Sequence, residues 1–207
     1  TVSVVAGTQT QQIGTSVVFN AGYTQFFSST FDSASNKVVI AFRDDGDSGK
    51  GKAVVGTVDP SNNSISFGTE VQFDSSAVYY VSLTFDSNSN KVVIAYRDGG
   101  NSSHGTSVVG TVSGTSITFG TPVVFETAAT NYLGAAFDST ANKVVFSWSD
   151  SSVDGRAIVG TVSGTSISFG TSVLFTSART LKTAAVYDSS VNRVVITYEN
   201  DDNNDYG

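Results

Sequence analysis

An aromatic residue followed by Asp recurs at Phe31-Asp32, Phe85-Asp86, Phe137-Asp138 and Tyr187-Asp188, and this recurrence limits the fold more than any other feature. The Asp residues advance by 54, 52 and 50 positions. A second anchor, Gly followed by Thr at Gly14, Gly68, Gly120 and Gly170, advances by the same steps. Self-similarity at this period signals propellers, solenoids or arrays of one supersecondary unit. The tail from Tyr198 to Gly207 matches Tyr96 to Gly105, after which the repeat continues TSVVGT, and the chain itself begins TVSVVAGT. Four repeats are therefore expected in a single domain, residues 1–207, cut in the middle of one repeat. Such a start, without Met, reads as a processed product or a piece of a longer repetitive protein.

Each repeat offers four strands separated by turn chemistry. The first strands, Gln25 to Phe31, Tyr80 to Phe85, Tyr132 to Phe137 and Lys182 to Tyr187, have small residues at their middles (Ser28, Ser82, Gly134, Ala184), which suits strands converging on a narrow axis. The second strands begin at Lys37, Lys91, Lys143 and Arg193 and are apolar on both faces, as strands covered on each side are. The turns between first and second strands carry Asp and Asn, which bond local backbone and accept left-handed geometry. Third strands begin at Ala53, Ser107 and Ala157, with Ser3 to Thr8 as the displaced fourth copy, and Ser113-Gly114-Thr115 and Ser163-Gly164-Thr165 read as tight hairpins. The fourth strands carry a central Gly that marks a bulge or bend.

Four-stranded antiparallel units repeated about an axis are propeller blades, about 4 to 8 of which make the usual ring. The expected fold is all-β, a four-bladed β-propeller closed by pairing of the N- and C-terminal strands, which would remove free sheet edges. An open β-solenoid is the alternative, though it would need no matching ends. A monomer is expected.

Composition excludes several function classes. Cys is absent, so neither disulfides nor thiolate metal sites exist. The net charge of −7 disfavours nucleic acid and anionic membrane surfaces, and no apolar run approaches the roughly 20 residues that a spanning helix needs. The strings VVGTVSGTSITFGT from Val108 and FDSNSNKVVIAYRD from Phe85 resemble tandem repeats of phage and environmental virion or surface proteins. That resemblance covers essentially the whole chain. It implies a non-catalytic appendage or recognition module, extracellular or virion-associated.

If the first strand is innermost, the second-to-third loops and the fourth-to-first crossovers share one face. The loops starting at Arg43, Arg97, Ser149 and Glu199 hold ten acidic and three basic residues, so this face is expected to be strongly acidic. Asp44, Asp45 and Asp47 around Gly46 resemble a hard-cation loop, which makes Ca²⁺ a candidate, but the spacing of a full EF-hand is missing. Asp201, Asp202 and Asp205 form a second cluster. The segment Gly46 to Lys52 imitates half of a P-loop, but Ala53 stands where Ser or Thr is required and a strand follows. His104, the single His, is expected as a solvent-facing loop residue, and no reactive constellation stands out from its repeat equivalents.

The aromatics Phe42, Tyr96, Trp148 and Tyr198 are expected to pack between blades rather than to stack on sugars. Tyr23, Tyr79, Tyr80, Asn131 and Tyr132 form a candidate polar-aromatic rim for a glycan, with Arg43 and Arg97 as its directional donors. A non-catalytic binding or structural role toward a glycan or surface protein is the leading expectation, with no cofactor required. The alternative is a polysaccharide-acting enzyme with acidic groups at the ring mouth.

Overall fold

A computed structural model describes residues 14–203. The chain is all-β with antiparallel pairing throughout, and its strands fall into four consecutive units. The first contains β1 (Thr24–Asp32), β2 (Lys37–Asp44), β3 (Lys50–Asp59), β4 (Ser64–Phe67) and the opening half of β5 (Val71–Asp86). The second contains the closing half of β5, β6 (Lys91–Asp98), β7 (His104–Ser113), β8 (Ser116–Phe119) and β9 (Val123–Ala129). The third contains β10 (Asn131–Asp138), β11 (Lys143–Ser149), β12 (Gly155–Ser163), β13 (Ser166–Phe169) and β14 (Val173–Thr176). Among the described residues the fourth is the pair β15 (Thr180–Asp188) and β16 (Arg193–Asn200).

The turn chemistry accounts for the recurrence seen in the sequence. Asp32, Asp86 and Asp138 each accept two backbone N–H groups from the turn that follows, and Asp188 accepts the amide and hydroxyl of Ser190. Each turn closes on an Asn at positive φ (Asn36, Asn90, Asn142 and Asn192, 54° to 55°), the left-handed conformation that Asn tolerates best after Gly. The hairpins between third and fourth strands turn on Gly114 and Gly164, also at positive φ.

The fourth strand is broken where a continuous strand with a bend was expected. β4 and the start of β5 both pair with β3, β8 and β9 both pair with β7, and β13 and β14 both pair with β12. The break falls at the repeated Gly because the next unit's hairpin presses there. A Cβ on Gly68 would lie 1.8 Å from the Thr115 carbonyl oxygen, and one on Gly120 equally close to that of Thr165. Gly14 meets the Asn63 carbonyl in the same way, so the chain at Gly14 is seated on unit one as the fourth strands of units one and two are seated on the units that follow them.

The second strands of units one to three are largely buried on both faces, as their composition predicts, whereas β16 is half-exposed. On β6, Val92, Ile94 and Tyr96 belong to a core shared with Val39, Ala41, Ala53 and Val55 of unit one. The alternate residues Val93 and Ala95 belong to a core shared with Leu133, Phe146, Trp148 and Ile158 of unit three. Burying each such Val or Ile contributes about 1.5–3 kcal/mol. The aromatics at the ends of these strands pack between units. Phe73 meets Tyr96 and Phe119, Phe125 meets Trp148 and Phe169, Phe175 meets Tyr198, and Phe19 meets Phe42 and Phe67, with centroids 5.2 to 6.2 Å apart.

The four first strands are innermost. Residues of β1, β5, β10 and β15 together line one cavity. A Cβ on Gly134 would approach the Ala184 backbone to 3.0 Å, which explains why the middles of these strands are small.

One boundary differs from the other three. Val81 and Leu83 on β5 are 7% and 6% exposed against unit one, whereas their β1 counterparts, Phe27 and Ser29, lie open, Phe27 at 67%. On the other side of that boundary Val186 is 60% and Val195 44% exposed, although Val93, the β6 counterpart of Val195, is fully buried. Units one and four therefore do not cover each other's facing surfaces, and no sheet is closed. The expected pairing of Ser3 to Thr8 with β16 lies outside the described residues.

Removing an aromatic from a completed boundary tests the core. Phe73→Ala should destabilise the fold by about 3–5 kcal/mol, read from the denaturant midpoint, because the ring is buried between two neighbours. Phe175→Ala should cost less, since that ring is half-buried and, among the described residues, stacks on Tyr198 alone.

Candidate functional site

Each first strand begins with a bulge at the loop end. The register shifts between Gln25 and Ser28, Tyr79 and Ser82, Asn131 and Gly134, and Leu181 and Ala184. The residues inside these bulges, Phe26, Tyr80, Tyr132 and Lys182, have φ of 45°, 51°, 53° and 49°. A bulky side chain in this region costs about 1–3 kcal/mol and persists only where its surroundings hold it. Here the surroundings are the bulged residues themselves. The Phe26 and Tyr80 rings lie 5.2 Å apart and the Tyr80 and Tyr132 rings 5.1 Å apart, a row of three aromatics. The fourth position is held by Lys182, whose ammonium donates to Glu199 at 2.6 Å. Burial, reinforced by the neighbouring Tyr132, raises the pKa of the Tyr80 hydroxyl.

Beside this row lies a second group. The Arg43 guanidinium sits 4.3 Å from the Tyr79 ring centroid and the Arg97 guanidinium 5.3 Å from it, so one ring serves two cations. Arg43 is held by Asp45, which accepts from its Nε at 2.6 Å. Gly49, at φ +77°, makes room for Arg43, since a Cβ there would lie 2.9 Å from the guanidinium. Arg97 donates from Nη1 to Asn131 Oδ1 at 2.9 Å, while its Nε is buried without a partner among the described residues. No carboxylate pairs with Arg97 among the described residues, which leaves it with donor capacity for an incoming group.

Arg43, Arg97 and Asn131 are thus brought together around Tyr79, and Tyr80 and Tyr132 stack beside them. Tyr23 does not join them. Its side chain is 68% exposed, and its carbonyl accepts the Asp45 amide at 2.9 Å. Tyr79, a rim candidate from the sequence, occurs in one repeat only, where Gln25, Asn131 and Leu181 stand elsewhere, whereas Phe26 was not singled out and reads as an ordinary strand residue until the bulge is seen.

The acidic loops are largely compensated, which corrects the expected strongly acidic face. Asp44 pairs with Lys52 at 2.7 Å, Asp45 with Arg43, and Asp47 with Lys50 at 2.9 Å and Lys52 at 3.1 Å. Asp150 pairs with Arg156, Asp201 with Arg179 and Glu199 with Lys182. Burial opposes ionisation of Asp44, but the Lys52 ammonium and the Gly46 amide outweigh it and lower its pKa. The Asp44, Asp45 and Asp47 carboxylates face cations of the chain, and among the described residues no group of His, Cys, Asp or Glu is placed to hold a metal ion. Asp205 lies outside the described residues.

Unit two departs from this pattern because Thr106 replaces Lys52. Asp98, the counterpart of Asp44, has no ion pair among the described residues, and its pKa is raised by burial and by Asp74, which accepts from the Tyr96 hydroxyl at 2.9 Å. His104, directly across the strand pair from Asp98, is half-buried rather than projecting into solvent. No hydroxyl is hydrogen-bonded to its ring among the described residues. The arrangement offers cation–π and hydrogen-bonding surface.

No known family model matches the chain. No curated protein sequence matches it either. The likeness to virion and surface repeats thus has no counterpart in these comparisons, and the site stands on its geometry alone.

The unpaired Asp98 has a measurable consequence. A raised carboxylate pKa means that stability is fully present below the unfolded-state pKa and is lost as pH rises through the folded-state value. Asp98→Asn keeps the oxygen that accepts from Gly100 and Asn101 and removes the charge. Its melting temperature should match or exceed that of the parent at pH 7, with the difference shrinking in thermal scans toward pH 3.

Proposed function

We propose that the chain is a four-bladed β-propeller that serves as a non-catalytic binding or structural module, extracellular or virion-associated, with its loop face receiving a glycan or a surface protein. The observation that carries the binding reading is Tyr79 set between two guanidiniums, adjoining the Phe26, Tyr80 and Tyr132 row. Aromatic faces accept the apolar side of a sugar ring, and Arg and Asn donors fix its hydroxyls in direction. Strained aromatics at one position of three units support a site, since such strain gathers where function holds it.

The ring is supported by the repetition of one aromatic contact at all four boundaries, the last made by Phe19 on Phe42 and Phe67. In this reading the exposed faces of β1 and β15 meet each other, and the N-terminal strands complete unit four.

Two experiments test these points. On a glycan array, Tyr80→Ala and Arg97→Ala should each reduce binding by roughly tenfold or more while circular dichroism stays unchanged, as expected for loss of a stacking or directional donor contact worth about 1–2 kcal/mol. Binding that is absent for the parent, or unaltered in both variants, removes the loop-face reading. For the ring, Ser28→Cys combined with Ala184→Cys reproduces across the open boundary the close approach of Gly134 to Ala184. Because the chain has no Cys of its own, oxidation should yield one crosslink within a monomer. Crosslinked dimers, or no crosslink, would argue against a single-chain ring.

A further inference from the structure

The cavity among the innermost strands lies at the end opposite the loops, and nothing in the loop-face reading uses it. It measures about 410 Å³, and Phe31, Phe85, Phe137 and Tyr187, the aromatics of the repeated aromatic-Asp pair, all line it. Phe31 is 55% exposed, unusual for a large apolar ring at the mouth of a cavity. The remaining lining is Thr, Ala and Val, so no basic group enters it.

Each lining aromatic is followed directly by an Asp, and none of these four carboxylates is in an ion pair among the described residues. Hydrogen bonds from Ser190 hold Asp188 below the usual carboxylate range. The basic residues across the strand pairs from these carboxylates, Lys37, Lys91, Lys143 and Arg193, do not form ion pairs with them. Lys37 reaches Thr57 at 2.8 Å and Lys143 reaches Thr161 at 2.7 Å, both on third strands, and Arg193 donates to the carbonyls of Val191 and Asn192. Each of these carboxylates stands opposite a basic residue of its own hairpin, and none of them lines the cavity.

We infer that this cavity binds the head of a quaternary or methylated ammonium cation. Aromatic walls attract such a cation through the ring quadrupole, and the absence of strong donors suits a group that makes no hydrogen bonds. A primary ammonium would lose hydration that the Thr hydroxyls replace only in part. The volume exceeds that of a trimethylammonium head, so a short chain attached to it fits as well.

Titration calorimetry of the full chain with choline tests this, with 3,3-dimethylbutan-1-ol as its uncharged carbon counterpart. Choline should bind, and the uncharged counterpart should bind at least tenfold more weakly. Phe31→Ala, chosen because the ring is exposed and the fold does not rest on it, should weaken choline at least tenfold, whereas Tyr80→Ala at the loop end should leave choline binding intact. No binding at millimolar choline, equal binding of the uncharged counterpart, or an unaltered affinity in Phe31→Ala would each overturn the inference. Loss of choline binding in Tyr80→Ala would overturn the separation from the loop face.

Discussion

The buried centre of the structure depends on the second strand of unit two having a partner on either side. A Val- and Ile-rich strand with one open face would leave a row of apolar side chains in water. Here successive residues of β6 enter two different cores, one toward unit one and one toward unit three. The fully buried side chains Phe42, Tyr96 and Trp148 then close the loop end of three boundaries. Local turn chemistry shapes a unit, but only its neighbours bury it. Where a neighbour is not in place, as for β1 and β16, the same residue types stand exposed.

Much of this was legible in the sequence. The Asp and Asn of the first turn, the unbroken apolar run of the second strand and the small middles of the first strand each translate directly into a hydrogen bond, a buried face or a close approach. What was not legible arose from contacts between units. The break in the fourth strand comes from a neighbouring hairpin carbonyl against Gly68 and Gly120, and no pattern within one repeat announces that. The bulges at Phe26, Tyr80 and Tyr132 are register events, invisible to a period-two reading because the residues on either side keep their alternation.

Charge followed the same division. Counting residues by loop gave an acidic face, because Lys52, Arg156 and Arg179 lie outside the loop segments that were counted. Their side chains reach back to Asp44, Asp150 and Asp201, so the face is made of ion pairs rather than of unopposed carboxylates. Thr106 in place of a lysine leaves one unit without this compensation, which a comparison of repeats can find once the pairing is known. The same comparison makes Tyr79 stand out as the unrepeated residue around which the guanidiniums gather.

The 16-residue strand β5 belongs to two units at once, ending one sheet and opening the next without a loop between. Elsewhere the passage between units is interrupted, at Thr130 before β10 and between Thr176 and Thr180 before β15. Units one and two therefore share backbone as well as side chains at their boundary, whereas units two and three, and three and four, are joined through residues outside any strand.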